Sequence, residues 1–219
     1  MNIKVEYVFS RDVWNYLNSL YSFRWLKYGR NDIQNKLLSS LPVQFRDSLK
    51  GATNDDAAKK IISDFLSENL EGRKAKYSLI GKEMELSWVK QGHVIEKKLQ
   101  KLYDNPVPFK TLKIYLSSLP ICPYNYEKGW IMVFAGTKVE RRLQILTHEL
   151  NHFMFYYYFG YLRKELGKEK FESLKEALTI FTNPEEKGYP AQQKLRTWLA
   201  KQKGSIPTII ESRGWKKYL

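Results

Sequence analysis

Five consecutive residues, His148-Glu149-Leu150-Asn151-His152, set two imidazoles and a carboxylate at helical spacing. An α-helix turns about 100° per residue, so histidines four apart lie about 40° from each other on one face and can hold one metal ion together. Glu149 projects beside them. Imidazole nitrogen is a good zinc donor, and a catalytic zinc site takes three protein ligands while keeping one position for water. The glutamate inside such a motif can take a proton from that water. By chance a chain of this size shows the pattern in roughly one case per hundred or two. Here the motif uses two of only three histidines, the third being His93. The bland alternative is a pair of histidines buried in an aromatic core helix.

The elements that must position these residues are readable from periodicity. Apolar spacing predicts a helix from about Val139 to Phe159 around the motif, a break near Gly160, and a second helix from about Lys168 to Phe181 that carries several glutamates. Asn183-Pro184 stops it. Upstream, Phe109–Ser118 alternates and WIMVFA, Trp130 to Ala135, reads as a strand just before the motif helix. The proline-rich SLPICPYNYEKG between them is a loop. Ile3–Phe9 suits an opening strand with Ser10 as a helix cap. Helical spacing then runs from Asp12 to about Leu70, punctuated by Pro42 and Gly51, with Asn54, Asp55 and Asp56 as helix-start residues. A further helix is expected from about Lys82 to Tyr103, and another from Pro190 to about Lys203. The expected fold is α+β, mostly helical, with a small sheet whose antiparallel edge strand lies beside the motif helix. Residues 1–108 form an N-terminal strand and helical portion. Residues 109–219 form the core with C-terminal helices, in one unit with the first part.

Composition narrows the function classes. At 219 residues, 43% hydrophobic and 27% charged, the chain can bury a core and is not a disordered or fibrous protein. Cys122 is the only cysteine, so no intrachain disulfide is available and a small stapled secreted fold is excluded. MNIKVEYVFSRDVW lacks an export signal, the aromatic stretch Leu150–Leu162 is too short for a membrane span, and the expected location is the cytoplasm. The net charge of +14 keeps a nucleic-acid partner open. In that second reading the chain is a basic nucleic-acid-binding protein whose HELNH is structural. It shows no ribonucleoprotein motif, no CxxC pair and no compact basic helix to support this.

From about Phe109 to Asn183 the sequence resembles the gluzincin metallopeptidases, and their small, minimal members most, which pair HExxH on one helix with a glutamate ligand on a following helix. A metzincin site is disfavoured, since it would need Gly where Phe155 stands and His at Tyr158. A third ligand four residues past the motif would need His at Tyr156. The resemblance implies a glutamate from the second helix, with Glu165, Glu169, Glu172 and Glu176 to weigh. Glu176 is favoured because it opens the uncharged stretch EALTIFTN next to small Ala177. Glu172 is second, with Lys170 and Lys175 nearby pointing to a solvated position. The chain departs from larger gluzincins at Lys175, where many have Asn, and at Ile180, where some have an acid. The acid that orients a zinc histidine is thus unassigned, with Glu172 and Asn183 as candidates.

What the resemblance implies is peptide-bond hydrolysis with Zn2+ on His148, His152 and Glu176, Glu149 as general base, and a peptide or protein substrate paired to an edge formed by Trp130, Ile131, Met132, Val133, Phe134 and Ala135. An oxyanion donor is expected as well, with Tyr157, Tyr161, Tyr189 and His93 as candidates. The N-terminal helices or the tail Ser205–Leu219 are candidates for restraining such an activity.

Overall fold

The computed structural model describes residues 1–21 and 31–219, the side chains of 31–33 excepted, so residues 22–30 of the expected N-terminal helical stretch lie outside the described residues. Alternating apolar side chains in Asn2–Glu6 build β1, which pairs in parallel with β2 (Thr111–Ser117) in the register Ile3 to Leu112 and Val5 to Ile114. Between them the chain runs through helices α1 (Phe9–Tyr16), α2 (Asn31–Ser39), α3 (Val43–Lys50), α4 (Asp55–Ser67) and the long α5 (Leu70–Tyr103). After β2 come the two-residue β3 (Tyr124–Asn125), β4 (Trp130–Phe134) and α6 (Val139–Phe159). The chain closes with α7 (Leu162–Leu166), α8 (Lys168–Ala177), a 3-10 turn over Leu178–Phe181, α9 (Gln193–Leu199) and α10 (Ile206–Glu211). The fold is mostly helical α+β with one four-stranded mixed sheet, ordered β1-β2-β4-β3.

Side-chain alternation assigns the two faces of this sheet. Leu112, Ile114, Leu116, Ile131 and Val133 face α5 and α6, where Met84, Trp88, Leu99, Leu146, Leu150 and Phe153 complete a dry core. Tyr115, Trp130 and Met132 turn to the other face and meet Val8 and Trp14 at the start of the N-terminal helices. Those helices pack among themselves through Val13, Tyr16, Leu20, Phe45, Leu49, Ile62 and Leu66.

Two boundaries upstream of β2 differ from the periodicity. Ser10 lies inside α1, which begins at Phe9 after Val8. Helix α5 starts at Leu70 instead of about Lys82, because its first turns contain no proline and pack lightly, which weakens the apolar period that marks a helix. Its Gly81 faces β1, where a Cβ would stand 3.3 Å from the Val5 carbonyl oxygen, so the glycine sets how closely helix and sheet approach. Helix α5 ends at Asp104 in the left-handed conformation, ahead of Pro106 and Pro108. By contrast Asn54 caps α4 as expected, its Oδ1 accepting from the Ala57 N–H at 2.8 Å. Among the described residues no helix is long and apolar enough to cross a membrane.

Candidate metal centre

Helix α6 is buried on two sides over its second half, where its sequence turns apolar and aromatic from Phe153 on. At its start the buried Arg142 donates to the carbonyls of Ala135 at 3.1 Å and Thr137 at 2.6 Å and pairs with Glu83 of α5, locking the helix to the end of β4. Leu143, Leu146, Leu150 and Phe153 then face the sheet and α5. His148 and His152 lie on the side away from that row, facing the last turn of α8. There Phe171, Leu174, Ala177 and Leu178 are buried with Phe155 and Phe159, which draws α8 onto α6 and delivers Glu176 to the histidines.

Glu176 Oε2 lies 3.4 Å from His152 Nε2 and 3.8 Å from His148 Nε2, and one donor atom from each of the three residues fits within 4.8 Å of the others. Donors around a tetrahedral zinc, each about 2.0–2.1 Å from it, are separated by roughly 3.4 Å. The two imidazoles and one carboxylate therefore fit a metal ion in chemistry and in spacing. One further observation agrees: Glu149 Oε2, beside the three donors, is buried without a hydrogen-bond partner. His152 Nδ1 is buried and unpartnered as well, but it is Nε2 that faces Glu176.

Electrostatics divides the carboxylates. Burial pushes Glu149 up to about 8; His148 opposes this and Glu176 adds to it. Glu176 is held well below the carboxylate range despite its burial, by His152, Lys175 and His148. Burial, with the charge of Lys175, lowers His152 to about 4, so its imidazole is neutral and able to donate a lone pair. For His148 burial opposes protonation, but the hydrogen bond to Glu186 and the charges of Glu149, Glu186 and Glu176 outweigh it and the pKa is raised.

The residue behind His148 is Glu186, whose Oε2 lies 2.9 Å from Nδ1. It follows the Asn183-Pro184 break, and nothing in its spacing announces it. Neither expected orienting residue does this work: Asn183 Nδ2 reaches the Gln144 carbonyl at 3.4 Å, and Glu172 accepts from Tyr156 at 2.6 Å and pairs with Lys175 at 2.9 Å. The reason offered for setting Glu172 aside also changes. Lys175 is not solvated but only 3% exposed, and it reaches Glu172, Glu176 and the Tyr124 hydroxyl together. Lysine is so rarely buried that its sequence position alone argued for solvent.

The substrate edge needs correction. Trp130–Phe134 is an inner strand: β2 pairs with it along one side, β3 pairs with Trp130 and Ile131 on the other, and the Met132 N–H donates to the Pro123 carbonyl at 2.8 Å. The Ala135 N–H goes to Ser117 at 2.9 Å. The backbone of Trp130, Ile131 and Met132 is thus engaged on both sides, because the loop read as irregular folds back as a short strand. The antiparallel edge strand beside the motif helix exists, but it is β3. Its Tyr124 ring stands 5.6 Å from the His152 ring. Of the expected oxyanion donors, His93 is exposed on α5, Tyr161 is exposed after α6, and Tyr157 is exposed against Phe109. Tyr189 precedes the 3-10 turn at Pro190. Comparison with protein-family models, curated proteins and solved structures finds no match to this chain.

Proposed function

We propose that this chain is a zinc-dependent metallopeptidase that hydrolyses peptide bonds. The observation that carries the reading is the convergence of His148, His152 and Glu176, one donor atom from each within 4.8 Å of the others, with the buried carboxylate of Glu149 beside them. His148, His152 and Glu176 hold the ion. When bound, zinc supplies Lewis-acid polarisation of a carbonyl and brings the pKa of a water toward neutrality. Glu149 accepts a proton from the attacking water and returns it to the leaving amine, a role fitted by its buried, unpartnered carboxylate beside the donors. Glu186 holds the His148 ring in one orientation. Against a merely structural HELNH stands the unpartnered buried Glu149 Oε2, beside the three converging donors, which a core helix without a ligand would have no reason to keep.

The test begins with zinc per chain by elemental mass spectrometry after equal zinc exposure and dialysis. About one equivalent is expected in wild type and none in His148→Ala. A peptidase screen follows, in which Glu149→Gln keeps the metal and loses roughly 100- to 10,000-fold in turnover. Folded wild type that retains no zinc would sink the reading and turn attention to nucleic-acid binding at +14.

A further inference from the structure

Lys175 is the least expected side chain around the site. Its side chain is 3% exposed, its ammonium has three N–H donors, and three oxygens meet it: Glu172 Oε2 at 2.9 Å, Glu176 Oε1 at 3.1 Å and the Tyr124 hydroxyl. The Tyr124 and Tyr156 rings flank it, with its nitrogen 5.0 and 5.6 Å from their centroids. Tyr156 in turn donates to the other oxygen of Glu172 at 2.6 Å. Every donor of the lysine is used, and its nearest carboxylates are both held. The two oxygens of Glu176 are thereby given different tasks. Oε1 is bound to Lys175, and Oε2 is the atom that faces both imidazoles, 3.4 and 3.8 Å away.

We infer that Lys175 is a positioning residue that makes Glu176 a one-oxygen metal ligand, by holding Oε1 out of the coordination sphere and leaving Oε2 alone to face His148 and His152. This rests on the metallopeptidase reading above and deepens it. A carboxylate is free to bind a metal through one oxygen or two, and a catalytic zinc site needs a position kept open. Here a cation fixed by two carboxylates and a phenol decides between the modes. A neutral amide at the same position could donate to Oε1, but it would carry no charge to hold that oxygen. Lys175 touches neither the ion nor a substrate in this arrangement, so its effect is read through Glu176.

The experiment uses the full chain loaded with cobalt(II) in place of zinc, because the visible bands of cobalt are intense in four-coordinate sites and weaken as ligands are added. Wild type, Lys175→Met, Lys175→Arg and the double variant Lys175→Met/Glu172→Gln are compared at equal metal content. The double variant relieves Glu172 of an unpaired buried charge, so a folding defect in the single variant does not end the test. The expected result is strong absorption in wild type and Lys175→Arg, and weaker absorption in the two methionine variants. Zinc affinity, measured by competition with a chelator, should fall in the methionine variants by roughly 10- to 100-fold, as is typical when a group holding a ligand is removed. A packing role alone is supplied by the methionine stem and would leave the cobalt spectrum unmoved; a spectrum unchanged at one equivalent of cobalt overturns the proposal. Failure of both methionine variants to fold, judged by circular dichroism, overturns it too, by making Lys175 a determinant of the fold. Absence of metal from wild type refutes the metallopeptidase reading itself, a result distinct from an unchanged spectrum.

Discussion

A histidine ligand is only as well placed as the group behind its other nitrogen. His148 has Glu186 at 2.9 Å, whereas the second nitrogen of His152 is buried and unpartnered, its ring set instead by the aromatic wall of Tyr124 and by helix packing. Glu186 therefore orients the His148 ring, and if the three donors hold a metal as proposed, Glu186→Gln, which keeps the shape and removes the charge, is expected to lower metal affinity roughly 10- to 100-fold. Chelator competition measures this; unchanged affinity would mean that packing alone orients the ring. Glu186 is itself fixed from behind. The buried Arg196 donates to its carbonyl at 2.5 Å and to Thr179 Oγ1 at 3.0 Å, joining the loop after α8 to the turn below Glu176. His148, Glu149 and His152 are legible from five letters of sequence because helical geometry alone puts them together. Glu186 and Lys175 are not, since their partners come from α6, α8 and β3 through contacts with no fixed spacing.

At the scale of elements, the site depends on how closely helices approach the sheet and each other. Helix α5 lies against β1 through Gly81, whose missing side chain leaves room for the Val5 backbone. The nearby Glu85 Oε1 accepts the Val5 N–H at 2.8 Å, so the contact is polar as well as close. Replacing Gly81 by Leu is expected to force α5 outward and destabilise the chain by about 1–3 kcal/mol, the usual cost of overpacking. Denaturant unfolding checks it, and an unchanged midpoint would show that the helix can shift without loss. The strand before the motif teaches a complementary lesson. WIMVFA is legible as a strand because it is β-branched and aromatic and bounded by glycines, but which side of it is free depends on where the Pro-rich loop returns. Six aromatics in seven residues, Phe153–Phe159, likewise become intelligible only when α6 is seen between a sheet and α8.

For the whole molecule, the pairing of β1 with β2 means that residues 1–108 and 109–219 share one sheet and one core. The tail is packed into the core: Ile206, Ile209, Ile210 and Trp215 are buried with α8 and α9. Basic residues fall into two groups. Lys97, Lys98 and Arg141 are exposed and contribute to the charge of +14 as solvated surface, whereas Arg142, Lys175 and Arg196 are buried and tie elements together. The many tyrosines give the fold a predictable response to alkali. Burial, with the charge of Asp12, pushes the Tyr77 phenol up to about 12, and burial raises Tyr103 well above its ordinary value. A folded-state pKa above the unfolded one means that the associated stability is fully present below pH 10 and is lost as pH rises through about 12. Stability measured by denaturant at stepped pH should therefore decline less steeply above pH 10 in Tyr77→Phe than in wild type. Parallel declines would show that this phenol does not contribute.

By itself the sequence determined the motif helix, the strand before it, the mostly helical α+β class and the placing of His148, Glu149 and His152 together on one helix, because each depends on local period or on spacing within one helix. Glu176 needed one step more, a downstream helix with a small, uncharged face that could approach. Only the tertiary structure decided that Glu186 stands behind His148, that Lys175 is buried against Glu176, and that β3 rather than Trp130–Ala135 is the sheet edge. Those arrangements join residues from separate elements. Their energies come from burial, charge pairing and backbone hydrogen bonds that exist only once the elements have met, so no window of sequence contains them.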